Sequence, residues 1–217
     1  MCFAQDLSDW SPCLRNTVSE SSAPRKPFHL RDATPDDVPA IHAIYAHHVE
    51  HGRASFEEVI PTVDDMRMRY AEVLKKHLPY IVAERDGEVL GYAYASAYRA
   101  RSAYRFAIED SIYIDHRHTG EGLGRALLAA LIARCETGPW RQMVAVVALT
   151  ASGEGAGSVA VHERLGFRTV GRLESVGLKH GHGPGALTAT IWRHGPVSQR
   201  AINAASRARP RPSPVWR

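Results

Sequence analysis

The order of apolar patterns along this chain of 217 residues predicts a mixed α/β (α+β) fold, in which helices pack against one sheet. Two stretches with helical spacing are followed by three strand-like stretches, and from the third of these onward the chain alternates strand, helix, strand, helix and strand. A glycine-rich turn that opens a helix lies mid-chain, whereas a doubly wound dinucleotide-binding fold has it after the first strand. The pattern therefore favours a mixed sheet over the doubly wound arrangement.

The first elements are predicted from caps and periodicity. Residues 28–33 alternate apolar and polar side chains, as a half-buried strand does. Thr34 supplies a capping hydroxyl before a proline and an acidic first turn, and Thr62 begins a second helix, which runs to about His77, in a similar way. The apolar side of the first helix consists of Val38, Ile41, Ile44 and Tyr45.

The remaining elements follow from alternation, turns and apolar runs. Asp86-Gly87 is a hairpin turn between two predicted strands. The continuous apolar run 143–149 is typical of a strand buried on both faces. The predicted strands are residues 80–85, 88–98, 106–115, 143–149 and 167–176, with 186–192 as a further one; a helix follows the mid-chain glycines and another covers 158–165.

The charge distribution argues against a nucleic-acid-binding face. The net charge is +4, but residues 193–217 hold six arginines and no acidic residue, which leaves +4 minus 6, or −2, for the rest. We expect a disordered, basic Pro/Arg-rich tail there, a flexible leader over residues 1–27 and one folded domain over residues 28–192. No apolar run approaches the roughly 20 residues of a membrane span, and the N-terminus lacks a signal-peptide pattern. We therefore expect a cytoplasmic protein without a membrane or nucleic-acid partner.

The spacing of cysteines and histidines predicts no metal site. Three cysteines lack metal-ligand spacing, so reduced thiols are expected. His47 and His51 have the i, i+4 spacing of a metal pair, with His48 between them, but no H-E-x-x-H pattern accompanies them. A solvated polar helix face is the preferred interpretation.

The segment from Ile112 to Arg125 leads from a strand through a glycine-rich turn into a helix. Main-chain N–H groups at such a helix start attract phosphates, and glycines let the backbone approach them. The segment lacks both the Gly-Lys-Ser/Thr ending of a P-loop and the spacing of a Rossmann site. A pyrophosphate loop of the acetyl-CoA type and a tight helix start without a ligand both stay open.

Four segments carry a resemblance to a known family. They are IVAE at 81–84 with GYAY at 91–94, YRARSAY at 98–104, EDSIYI at 109–114 and SVAVHERLGF at 158–167. Together they resemble the GNAT acetyltransferase superfamily, and most closely its phosphinothricin/methionine-sulfone N-acetyltransferase branch, over about Phe28 to Gly181. The resemblance implies a central mixed, mostly antiparallel twisted sheet flanked by helices. It also implies direct acetyl transfer from acetyl-CoA to a small anionic amino-acid-like amine in a ternary complex, and a homodimer.

The resemblance implies roles for individual residues. Glu109 is the expected base, because an amine must lose its proton to attack a thioester, and partial burial would raise the pKa of this carboxyl; a solvated strand carboxylate is the alternative. The neighbouring Asp110 is expected on the opposite face, in a structural role. Backbone groups of Ile112, Tyr113 and Ile114 are expected to pair with the pantetheine arm, one N–H polarising the thioester carbonyl. The other expected cofactor contacts are Thr119, Gly120, Glu121, Gly122, Leu123, Gly124, Arg125 and Ser158.

The acceptor side is assigned in the same way. Arg99, Arg101 and Tyr104 are candidates for gripping an anionic acceptor, with surface arginines as the alternative. Lys179 matches a family position near the acceptor. His162 is a candidate for orienting the substrate or protonating the leaving thiolate, and a packed histidine is the alternative.

Three departures from the family pattern keep other functions open. Thr119 stands where an arginine or glutamine is usual, Gly155 stands where an asparagine is frequent, and the sequence after Gly181 is unfamiliar. The alternatives are a transferase for another small amine or a protein N-terminus, and a degenerate acyl-CoA-binding module.

Overall fold

The computed structural model of the protein describes residues 26–53, 55–150, 153–174, 176, 177, 179 and 186–193. The strands are β1 His29–Asp32, β2 Tyr80–Arg85, β3 Glu88–Ala97, β4 Ala107–Ile114, β5 Gln142–Leu149, β6 Arg168–Leu173 and β7 Ala186–Arg193. The helices are α1 Val38–His51, α2 Val63–Lys75, α3 Leu123–Glu136 and α4 Ala156–Arg164. Almost all of the predicted leader and tail lies outside the described residues.

The seven strands form one sheet in the order β1-β2-β3-β4-β5-β7-β6. Among the described strands, only β4 and β5 pair in parallel, and every other neighbouring pair is antiparallel. The predicted mixed, mostly antiparallel sheet flanked by helices is therefore confirmed. None of the described helices is both long and apolar enough to cross a bilayer.

The start of α2 follows from its cap, whereas α1 has no side-chain cap among the described residues. Thr62 Oγ1 accepts from the Asp65 N–H at 3.1 Å, and the Asp65 carboxylate accepts from the Thr62 N–H at 2.9 Å. Before α1, however, residues 35–37 form a separate 3₁₀ turn. Asp37 accepts from the Thr34 N–H at 2.7 Å and also bonds the Arg31 guanidinium, which ties the turn to β1.

Helices cover both faces of the sheet. The Tyr113 ring of β4 lies 5.0 Å from the Tyr45 ring of α1, while Asp110 of β4 contacts α4. Since side chains alternate along a strand, these residues point to opposite faces. Helices α1 and α2 therefore share one face, and α3 and α4 share the other. The most deeply buried side chains include Ile41, Ile81, Tyr92, Leu127, Leu131 and Met143.

The parallel strands β4 and β5 separate along their length. Their pairing runs from Ala107 opposite Gln142 to Glu109 opposite Val144 and then stops, although both strands continue. The second half of β5 consequently borders an open cleft, and Val146 is 39% exposed. The expectation that this apolar strand is buried on both faces is right only for its first half.

Candidate active site

The gap between β4 and β5 is a cleft of about 300 Å³. Its walls are the second halves of the two strands, and the start of α4 closes one end. Residues of both sheet faces reach it, because the strands separate there. The lining includes Glu109, Asp110, Ile112, Val146, Gly155, Ser158 and His162.

Glu109 places a carboxylate at the narrow end of the cleft, where β4 and β5 part. Within the described part of the chain, its side chain makes no hydrogen bond or ion pair. Burial raises the pKa of Glu109, and the charge of Asp110 raises it further, whereas Arg99 acts in the opposite direction. A partly buried carboxylate with a raised pKa is suited to accepting a proton near neutral pH.

Asp110 and His162 form a buried pair between β4 and α4. Nε2 of His162 lies 3.0 Å from Oδ2 of Asp110, and Nδ1 lies 2.7 Å from the Ser158 carbonyl oxygen. A carbonyl only accepts, so Nδ1 carries a proton. Burial lowers the pKa of His162, but the Asp110 carboxylate and the Ser158 carbonyl outweigh it, so the pKa is raised overall. The arrangement favours an imidazolium paired with a carboxylate.

The register of β3 and β4 decides which backbone groups face the cleft. The Asp115 N–H donates to the Leu90 carbonyl, so in an antiparallel pair every second residue of β4 bonds β3. Tyr113 directs its N–H and C=O toward β3, whereas Ile112 and Ile114 direct theirs away from it. The Ile114 carbonyl accepts from His48 Nε2 at 2.8 Å, a contact that sequence reasoning missed.

The glycine-rich turn leaves the start of α3 uncapped. Gly120 and Gly122 adopt positive φ angles of 77° and 85°, which favour glycine. No side chain caps α3 in the described part of the chain, and a Cβ at Gly120, Gly122 or Gly124 would meet no atom within 4 Å. Leu123 is buried and anchors the helix in the core. The first-turn N–H groups and the open space beside them suit a phosphate.

Three polar or charged side chains lie near the glycine-rich turn before α3. The Glu121 carboxylate accepts from Arg85 Nη2 at 2.7 Å. Thr119 is exposed and, within the part of the chain that the structure describes, its hydroxyl bonds only the His116 carbonyl, at 3.5 Å, while Arg125 is exposed. Gly155 starts α4 with a φ of 86°, and a Cβ there would collide with the Ala148 carbonyl oxygen. The turn that begins α4 therefore requires glycine at position 155, where the family that the sequence resembles often has asparagine.

The predicted acceptor loop is exposed beside Glu109. The Arg99 guanidinium lies 4.7 Å from the centre of the Tyr98 ring, and the Tyr104 ring lies 6.0 Å from the same ring. Arg101 is exposed just before a 3₁₀ turn. Because Arg99 affects the pKa of Glu109, the loop and the carboxylate share one electrostatic environment.

Lys179 is only 4% exposed. Its ammonium donates to the carbonyl oxygens of Ser55 at 2.7 Å and His48 at 3.3 Å, and burial lowers its pKa. It thus fastens its own segment to the end of α1 and the residues after it.

The histidines of α1 differ from the predicted solvated face. His47 stacks on His116 with ring centres 3.8 Å apart, and His48 bonds the end of β4. Among the described residues, no group of three or more His, Cys, Asp or Glu side chains is arranged to hold a metal ion.

Comparison with known proteins yields three findings. The chain matches the Acetyltransferase (GNAT) family over residues 41–167. It is 52% identical over 181 residues to a phosphinothricin N-acetyltransferase of Alcaligenes faecalis, a match that covers 83% of this chain and 86% of that protein. It is 32% identical over 152 residues to an L-methionine sulfoximine/L-methionine sulfone acetyltransferase of Salmonella typhimurium strain LT2, covering 70% and 86%.

A solved structure agrees with these matches. The crystal structure of a GNAT superfamily phosphinothricin acetyltransferase from Sinorhizobium meliloti, in complex with acetyl-CoA, superposes with a TM-score of 0.72. The match has 39% sequence identity and covers 77% of this chain and 89% of that one.

The sheet with its separating strands, the uncapped glycine turn and these matches define an N-acetyltransferase. The chain belongs to the Acetyltransferase (GNAT) family. The predictions of the fold class, of an N-acetyltransferase and of acetyl-CoA as the co-substrate are confirmed.

Proposed function

We propose that the protein transfers the acetyl group of acetyl-CoA to the amine of a small anionic amino-acid-like acceptor, by direct attack in a ternary complex. The acceptor class is that of phosphinothricin and methionine sulfone, the compounds named in its relatives. The observation that carries the proposal is the Glu109 carboxylate at the narrow end of the cleft.

Glu109 acts as the base in this proposal. An amino group attacks a thioester carbonyl through its lone pair, so a protonated amine has to lose a proton first. Because the Glu109 carboxylate forms no hydrogen bond or ion pair with another described side chain, it is available to accept that proton directly or through a water. Its raised pKa increases its basicity at neutral pH.

The donor would lie along β4. The Ile112 backbone faces the cleft, and so does that of Ile114, whose carbonyl already bonds His48. These groups would pair with the amide-bearing pantetheine arm as an added strand does, and an N–H in this row would polarise the thioester carbonyl. Tyr113 would contact the pantetheine arm through its side chain, since its backbone groups are directed toward β3.

The pyrophosphate would lie at the start of α3. The open space beside the three glycines and the absence of a side-chain cap support this position. Thr119 and Arg125 are exposed beside this position, and Ser158 is exposed in the first turn of α4, which lines the cleft. Leu123 would bind the pyrophosphate through its main-chain N–H, because its side chain is buried.

His162 takes a positioning role in this proposal. Both ring nitrogens already have acceptors, so donating a proton to the leaving thiolate would break one of these bonds. The His162 and Asp110 pair instead fixes α4 against β4 and sets the shape of the cleft. It also keeps a negative charge near Glu109 that helps to raise the pKa of the base.

The acceptor would be held by its acid group. Arg99 and Arg101 offer guanidinium groups suited to carboxylate or phosphinate oxygens, and Tyr104 is exposed beside them. Lys179 would act indirectly, by holding the residues after α1 through their carbonyl groups.

Acceptor-dependent release of the coenzyme A thiol tests the function. We expect phosphinothricin or L-methionine sulfone to give release and an N-acetylated product, and a peptide with an N-terminal alanine to give none. Release with the peptide alone would favour the protein N-terminus alternative, and coenzyme A binding without release for any amine would favour the binding module. Initial rates at varied concentrations of both substrates should give intersecting reciprocal plots, whereas parallel plots would contradict a ternary complex.

The assembly and the location are further proposals. Strand β6 is an edge of the sheet, and its Val170 and Leu173 are 40% and 53% exposed, which supports a homodimer that covers them. Light scattering should give twice the mass of the chain, and a monomeric mass would reject the dimer. A cytoplasmic location stays a prediction.

A further inference from the structure

The proposed pyrophosphate loop carries an acidic side chain. Glu121 lies between Gly120 and Gly122, in the turn that would hold two phosphate groups. Like charges a few ångströms apart repel by more than 1 kcal/mol near a protein surface. A free carboxylate at this position would therefore weaken the binding of a pyrophosphate.

The Glu121 carboxylate is held by two neighbouring groups. One oxygen accepts from Arg85 Nη2 at 2.7 Å, and the other lies 3.2 Å from His118 Nδ1. The side chains of Glu121 and Arg85 are only 13% and 17% exposed, so water screens this pair less than a surface pair. Arg85, and next His118, lower the pKa of Glu121. The carboxylate is thus ionised and turned toward the sheet.

Arg85 belongs to the hairpin that packs beside the loop. It pairs with Glu88 across the turn between β2 and β3. Glu88 in turn contacts Arg117 Nη2 at 2.7 Å, before the glycine turn. The hairpin end therefore presents a cation to one part of the loop and an anion to another, a pattern that fixes how the loop lies on the sheet.

We propose that Arg85 is a positioning residue for the pyrophosphate loop, which turns the Glu121 carboxylate away from the phosphate site and neutralises its charge. The proposal rests on the proposed function, in which residues 120–125 hold the pyrophosphate. Because the ion pair would serve to suppress a repulsion, removing both of its charges should be harmless to coenzyme A binding.

Titration calorimetry of the full chain with coenzyme A tests this claim. Arg85→Met should weaken binding about tenfold or more, because the ionised Glu121 beside the phosphates loses its guanidinium partner and keeps only the contact with His118. Glu121→Gln removes the side-chain charge and keeps the main-chain N–H proposed to face the phosphates, so its affinity should be no lower than that of the wild type. Arg85→Met with Glu121→Gln should recover most of the lost affinity. Arg85→Lys should retain affinity, since it keeps the charge.

The control removes a cation that contacts the turn of the same hairpin from another part of the chain. Lys26 bonds Asp86 in the hairpin turn at 2.7 Å and is largely exposed, so Lys26→Met should change affinity little. The defect of Arg85→Met should be larger at low ionic strength than at high ionic strength, and thermal unfolding of each variant separates affinity from folding.

Several outcomes would overturn the proposal. Unchanged affinity in Arg85→Met would do so. Equal losses in Arg85→Met, Glu121→Gln and the double variant would show that the ion pair has only a structural role. Absence of coenzyme A binding by the well-folded wild type would reject the proposed function together with this inference, whereas wild-type binding with no Arg85 effect rejects the inference alone.

Discussion

Nε2 of His162 lies 3.0 Å from Oδ2 of Asp110, and the two side chains are 5% and 3% exposed. This pair joins α4 to the strand that carries the candidate base. It therefore links the stability of the fold to the shape of the cleft.

Asp110→Asn should lower the free energy of unfolding by about 3 kcal/mol, because the buried imidazolium loses its counter-charge. The pKa of His162 is raised in the folded state, so the wild-type stabilisation should be complete below pH 6.5 and decline as the pH rises through the folded-state pKa. Urea unfolding at several pH values measures this. The exposed His29 pairs loosely with Glu84, and His29→Gln is the control, for which little change is expected. An equally small effect of Asp110→Asn would show that the pair does not stabilise the fold.

Glu109→Gln should lower kcat by about 10²-fold or more, since general base catalysis typically contributes that much. The affinity for coenzyme A should change little, because the amide keeps the shape of the side chain. Steady-state kinetics and calorimetry measure the two quantities. The control is Glu154→Gln, which removes a carboxylate elsewhere in the lining of the cleft. A wild-type turnover in Glu109→Gln would remove Glu109 from the mechanism.

The pH dependence of kcat/KM should reflect the ionisation of Glu109. The base is active when deprotonated, so the rate should rise with pH through its raised pKa and fall off on the acid side. Because the Arg99 charge lowers this pKa, Arg99→Gln should move the acid limb to higher pH. Arg101→Gln is the matched control, and the acid limb of its kcat/KM profile should stay at the wild-type pH. The limb should vanish in Glu109→Gln, and an unchanged limb in that variant would assign it to another group.

Gly124→Ala should separate cofactor binding from folding. A Cβ at this position meets nothing within 4 Å and the backbone is helical, so stability should be kept or rise by up to about 1 kcal/mol. The methyl group would occupy the space proposed for the phosphates, and coenzyme A affinity should fall at least tenfold, about 1.4 kcal/mol. Gly171→Ala, in the open edge strand β6, is the control that should leave affinity unchanged. Full affinity in Gly124→Ala would place the phosphates elsewhere.

Local patterns predicted most of the fold. The caps at Thr34 and Thr62, the Asp86-Gly87 turn and the glycine turn each act within a few residues, so the chain order alone exposes them. The 3₁₀ turn before α1 was missed because it depends on Arg31 reaching Asp37. The half-exposed β5 was missed because its apolar sequence does not reveal where the neighbouring strand departs.

The candidate site was predicted less completely, since its contacts join distant parts of the chain. Glu109 was identifiable from its position in a motif. The partner of His162 lies 52 residues away, and that of Glu121 lies 36 residues away, so no spacing pattern reveals them. The attachment of Lys179 to carbonyl groups of α1 and its continuation likewise depends on how the segments meet in space.

The most direct test of the account is a crystal structure of the protein with coenzyme A. We expect the pyrophosphate to be bound by main-chain N–H groups between Gly120 and Arg125, and the thiol end to lie in the cleft near Glu109. Coenzyme A bound outside the cleft between β4 and β5, or with its pyrophosphate away from this loop, would contradict the account.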